Sequence, residues 1–298
     1  MKNAILKLTI YAVACGVFTA CASSSKHGGD EGGYSPVAGS SSGSFDMGDE
    51  GSSSTSKTPP PSAKGAPATT AAQAVTPVGQ GALVDAIKNQ NDEQIFRTAS
   101  QLLTQNPNDG RALNAMAMYY FKKGKIAAAK YLLTKAIAAN PNAGEAYGNM
   151  GLVHLVNNER REAIQAFRKA LDLNANDGIA GANAGSIYVQ EKDYNKAVTV
   201  LKVAYNAGVR DAKTLNNYGV ALTAVGKFDE ANSVYEAAMK EQNNNREILL
   251  NYAILLIDHM NKYKEGMDVL NRLKFVGPPS ESRNRIIALE NKAKAGLK

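Results

Sequence analysis

The apolar positions of this chain fall into a pattern that recurs. The octets LNAMAMYY (residues 113–120), YGNMGLVH (147–154), GANAGSIY (181–188), LNNYGVAL (215–222) and LLNYAILL (249–256) each begin 34 residues after the one before. A second set keeps the same step: Ala129, Ala163, Ala197 and Ala231, then Ala136, Ala170, Ala204 and Ala238. One column of the first half-unit is always small, namely Ala117, Gly151, Gly185, Gly219 and Ala253. Large residues fill between: Leu113, Tyr147, Leu215 and Leu249 in the first half, and Leu133, Phe167, Leu201, Tyr235 and Leu270 in the second. Spacings of three and four keep these side chains on one face of a helix, with small residues where paired helices approach.

A 34-residue period with this layout resembles the tetratricopeptide repeat, which implies an all-α, right-handed superhelical solenoid of helix–turn–helix units. Five units are read at residues 110–143, 144–177, 178–211, 212–245 and 246–279. Upstream, the stretch 81–107 has the same layout and ends at Pro107, 34 residues before Pro141, so a divergent sixth unit is read at about 76–109. The segment 280–297 is read as a polar-faced capping helix, with Ser280 or Ser282 as its N-cap. Two departures carry expectations. In the fifth unit the small residue of the second half comes one place late, at Gly266, so the turn HMNKYK is expected to carry a one-residue insertion. Gly181 replaces a large residue, and looser packing is expected there.

Asparagine is a poor helix-interior residue because its side chain competes for nearby backbone groups. Yet Asn149, Asn183, Asn217 and Asn251 occupy one column, and Asn216 stands beside it. The resemblance implies that the first helices line a concave groove that binds extended peptides. Stacked there, the four amides would form a ladder offering donors and acceptors to a partner's backbone. The same groups also suit tying neighbouring helices together, and Asn216 fits either role. By repeat position Met118, Phe121, Leu152, Leu155, Val189, Val220, Ile254 and Ile257 are expected to face the groove, with Arg111 and Lys213 adding positive charge. The clamp that grips chaperone C-terminal carboxylates needs a basic residue one place before the ladder; this chain has Asn114, Gly148, Ala182, Asn216 and Leu250, which disfavours that ligand.

Composition adds a second region. Residues 22–78 hold six of the ten prolines, thirteen serines and nine glycines, and are expected to be a disordered tether spanning about 40 to 45 Å if flexible. Residues 1–21 read as a secretory signal with a basic start and a short apolar stretch. Its end, Phe18-Thr19-Ala20-Cys21, resembles the bacterial lipobox, which implies lipidation of Cys21. Several acyl chains on one cysteine would hold a protein on a membrane stably. Residue 22 is Ala and not the Asp that favours inner-membrane retention in the family, so the expected location is the periplasmic face of the outer membrane. Of the chain's two cysteines, Cys15 and Cys21, at most Cys21 survives removal of the signal, so no intramolecular disulfide is expected.

The net charge is +7, carried by residues 79–298. Such a surface fits anionic lipid, acidic partners or nucleic acid, but Lys and Glu are interspersed, and no nucleic-acid partner is read. The three histidines, His27, His154 and His259, have no metal-ligand spacing, there is no phosphate-binding glycine loop, and GSSSG (39–43) lacks the strand–helix setting of a nucleophile elbow. No enzyme, metal or cofactor is read. The layout is similar to the pilotin lipoproteins of type IV pilus secretins and to gliding-motility lipoproteins, which implies a membrane-tethered adaptor assembling an envelope machine. The alternative is a basic solenoid binding cell-wall glycan or anionic lipid headgroups.

Overall fold

The structure, a computed structural model, describes residues 79–298; the signal, Cys21 with its lipobox, the 22–78 segment and His27 lie outside the described residues. From Gln80 onward the chain is a succession of paired helices. They are α1 (Gln80–Lys88) and α2 (Asp92–Gln105), α3 (Gly110–Lys122) and α4 (Ile126–Ala139), α5 (Gly144–Val156) and α6 (Arg160–Leu173). There follow α7 (Gly178–Gln190) and α8 (Tyr194–Asn206), α9 (Ala212–Ala224) and α10 (Phe228–Glu241), α11 (Arg246–Ile254) and α12 (Tyr263–Val276), and finally α13 (Arg283–Gly296). No strand occurs among the described residues, and the fold is an all-α tandem-repeat solenoid closed by a capping helix.

Capping chemistry sets the register of four of the first helices. Asp109, Asp177, Asp211 and Asn245, all in one column, accept backbone N–H bonds at the starts of α3, α7, α9 and α11; Ala143 of α5 cannot. Between units, Asn106, Asn140 and Asn174 each accept the N–H two residues on, at 3.0–3.2 Å, which folds three consecutive connections alike. Within units the turn passes through one left-handed residue: Gln90, Gly124, Asn158, Lys192, Gly226 and Asn261. Gln90 lies 34 residues before Gly124, so α1 and α2 follow the same turn geometry as the units behind them.

The small column works by contact. A methyl group on Gly151 would lie 2.6 Å from the Phe167 ring, one on Gly185 2.3 Å from Leu201, and one on Gly219 2.4 Å from Tyr235. Each glycine is thus a socket for the large residue of its partner helix, and those three side chains are fully or almost fully buried. Gly181 corrects the expectation of loose packing. A methyl there would meet the Val200 carbonyl at 2.6 Å, so the missing side chain lets α7 close onto the backbone of α8.

The fifth unit holds a second correction. Its extra residue is not in the surface loop: α11 runs on into a π turn, Leu255–His259, whose Leu255, Leu256 and Ile257 are buried. Lengthening a hydrogen-bonded turn keeps the apolar residues inward, whereas a slip in the loop would have rotated them out. Met118 and Ile257, expected on the groove, are core residues, 5% and 0% exposed. Ser282 is at the start of α13, but its hydroxyl donates back to the Pro279 carbonyl at 2.6 Å instead of capping the helix.

Successive first helices touch one another, α3 with α5, α5 with α7, α7 with α9 and α9 with α11, while successive second helices make no comparable contact. Rods that meet along one edge and part along the other form a curved stack, and the first helices form its inner wall.

Candidate functional site

The inner wall presents one stripe from each first helix, at the second, sixth, ninth and thirteenth helical positions. The sixth is the asparagine column. It is not a uniform ladder, and the residue one place earlier in the preceding unit decides why. Asn149 Nδ2 donates to Asn114 Oδ1 at 2.9 Å, and Asn251 Nδ2 donates to Asn216 Oδ1 at 2.9 Å. These two amides tie α5 to α3 and α11 to α9. Asn183 and Asn217 face Gly148 and Ala182 at the corresponding places, where there is no amide to meet. Asn183 turns back to donate to the Ile179 carbonyl at 3.0 Å, and Asn217 makes no side-chain hydrogen bond among the described residues. Both are only partly buried, leaving an acceptor and an N–H of Asn183 and the whole amide of Asn217 for another molecule.

Charge along the wall is balanced. Arg111 and Lys213 are exposed, but the same column continues as Glu145, Ile179 and Glu247, also exposed, so the two cations form no positive patch. Exposed apolar groups flank the free amides: Ile179, 48% exposed on α7, and Val156, 59% exposed at the end of α5. Leu152, Val220 and Ile254 are half-buried along the same stripe, and Leu155 and Val189 are half-buried one place beside it. Asn216, which by sequence fits either role, is the acceptor for Asn251.

A polar cluster was not anticipated. His154 Nδ1 and Lys130 Nζ both reach Glu159, the lysine at 3.0 Å, linking α4 to the α5–α6 turn. These bonds, the histidine's first, hold the Glu159 carboxyl below the usual glutamate range. The spacing His-x4-Glu gave a local signal; Lys130 is brought in only by the stacking. Among the described residues no group of three or more His, Cys, Asp or Glu could hold a metal ion. A surface hollow of about 570 Å³ lies at the α7–α8 turn against the end of α9, away from the free amides, and opens widely to solvent.

Family models described as tetratricopeptide repeat match residues 114–178 and 149–214, and again 222–284, together more than half of the chain. The chain belongs to the tetratricopeptide-repeat family. Among solved structures, this family member is similar to YrrB, described as a TPR protein with an unusual peptide-binding site, at 20% identity and a TM-score of 0.56, over 66% of this chain and 97% of that one. It is also similar to a MamA variant (18%, 0.50, 56% and 97%) and to PilF of Pseudomonas aeruginosa (19%, 0.48, 63% and 88%). At these identities the likeness concerns the fold alone. No curated protein sequence matches the chain.

Proposed function

We propose that this tetratricopeptide-repeat protein is a membrane-tethered adaptor that holds an extended segment of a partner protein against its inner wall. The observation that carries this reading is the pair Asn183 and Asn217, two amides left without an amide partner in the middle of the stripe and bordered by exposed Ile179. A peptide backbone matches their donors and acceptors whatever its sequence, and the apolar flank adds a preference for side chains such as Leu or Val. Tethering rests on the lipobox-like Cys21 and on the composition of 22–78, and it sets the periplasmic face of the outer membrane as the site of action. The process best suited to such an adaptor is assembly of an envelope machine, a pilus secretin or a motility complex. The balanced charge of the wall favours this over polymer binding within the groove. The test is capture from crosslinked cells: wild-type protein should retain a discrete partner that N183A/N217A loses, and equal capture by both would overturn the groove. Absence of acyl labelling at Cys21 would separately overturn the tether.

A further inference from the structure

We infer that the C-terminal end of the solenoid is a docking surface for an anionic lipid bilayer, separate from the groove and independent of the reading above. The first observation is a register anomaly. Phe275 is 92% exposed on α12, at a position that the preceding second helices fill with exposed Ala138, Asp172, Asn206 and Lys240. Placing a phenyl ring in water at a site otherwise given to small or polar groups forgoes the gain of burying it, and nothing in the packing of α12 requires it.

The second observation is charge. Residues 263–298 contain eight basic and four acidic residues, whereas residues 79–109 contain two basic and four acidic. On α13, Arg285 and Lys292 are spent on Asp258, and Glu290 is neutralised by Lys274 at 2.7 Å. Arg283, Lys294 and Lys298 remain exposed, without ion pairs among the described residues, and Ile287 (49%) and Leu297 (56%) are exposed between them. The Lys274–Glu290 bridge also sets the end of α12, and with it Phe275, beside the middle of α13.

Unpaired cations interleaved with isolated apolar side chains match the headgroup boundary of an anionic bilayer, where charge is spread laterally and each apolar group inserts singly. A folded protein partner would be met by one contiguous apolar core instead, and the exposed groups here are set apart by lysine and asparagine. No described helix is long and apolar enough to cross a membrane, so the contact is peripheral.

The chain has no tryptophan, so F275W in the full-length protein with Cys21→Ala places a single reporter at the proposed surface. With vesicles containing phosphatidylglycerol its emission should shift to the blue and be quenched by brominated acyl chains, and neither should occur with phosphatidylcholine alone. Adding R283Q/K294Q/K298Q should weaken the partitioning roughly 100-fold. Unchanged emission in vesicle-bound protein would overturn the inference. So would a concentration-dependent blue shift without lipid, which would assign the surface to a second copy, or a shift seen only with a captured protein.

Discussion

Asn251 donates its side-chain amide to Asn216, 35 residues earlier, across 2.9 Å, and Asn149 does the same to Asn114. Asn183 and Asn217 occupy the same helical position and lack that acceptor. The column therefore divides by function, and the two halves should separate on mutation. N149A and N251A should each cost about 1 kcal/mol in urea unfolding, through loss of a half-buried hydrogen bond between units. N183A and N217A should leave the unfolding free energy within about 0.5 kcal/mol of wild type. Partner capture should show the opposite order. A double-mutant cycle on Asn216 and Asn251 isolates the tie, and zero coupling would show it is not energetic.

The second prediction concerns the socket beneath Tyr235. A methyl on Gly219 would fall 2.4 Å from that ring, so G219A should destabilise by about 1 to 3 kcal/mol through overpacking. The first and fifth units suggest the remedy, because each puts alanine at this place and leucine in the second-half column: Ala117 with Leu133, and Ala253 with Leu270. G219A/Y235L should recover most of the loss, measured as the midpoint of thermal or urea unfolding. Burial also raises the Tyr235 phenol well above its usual pKa, and the Thr223 hydroxyl donates elsewhere, to the Gly219 carbonyl at 2.8 Å. The phenol is left without a partner among the described residues, so Y235F should be neutral or stabilising by up to about 1 kcal/mol.

Such sockets explain what could be read directly from the chain. Close packing of helix pairs demands a fixed pairing of small with large, so Gly151 and Phe167, or Gly219 and Tyr235, announce themselves as columns in the sequence. The cap column of Asp109, Asp177, Asp211 and Asn245, broken only at Ala143, was also readable, but its members are polar and lie outside the apolar pattern. The fate of each asparagine was not readable from its own column. It depends on the residue one place earlier in the unit before, where Asn114 and Asn216 supply acceptors and Gly148 and Ala182 do not. The extra residue of the fifth unit was visible as a period of 35, but period alone does not distinguish a longer loop from a π turn. Burial of Leu255, Leu256 and Ile257 decides that.

A third prediction follows from Glu159. Its carboxyl is held below the usual range by His154 and Lys130, so the folded state favours the ionised form more than the unfolded chain does. The stabilisation is present above the unfolded pKa and is lost as pH falls through the lower, folded one. Stability of the wild type should thus decline on acidification from roughly pH 4 downward, and E159Q should show a shallower decline over that window. The comparison is made by urea midpoint against pH. Parallel curves for the two proteins would remove the cluster from the account of acid sensitivity.

The π turn and the capping helix are joined at one carboxylate. Asp258, within the turn, accepts from Arg285 Nη2 at 2.5 Å and from Lys292 Nζ at 2.8 Å, two residues of α13 nearly two helical turns apart. Both cations are substantially exposed, so each pair alone contributes well under 1 kcal/mol, and D258A should cost about 1 kcal/mol in total. Asp258 is itself only 18% exposed, and without it two neighbouring cations are left facing each other, so the loss should concentrate on α13. Amide exchange should quicken from Arg283 to Gly296 while α3 to α8 keep their protection, because each repeat contacts only its neighbours. Raising salt to 1 M, where the screening length falls to about 3 Å, should bring wild type and D258A together. If exchange instead rose evenly along the stack, the carboxylate would be supporting the whole solenoid rather than fastening its last helix.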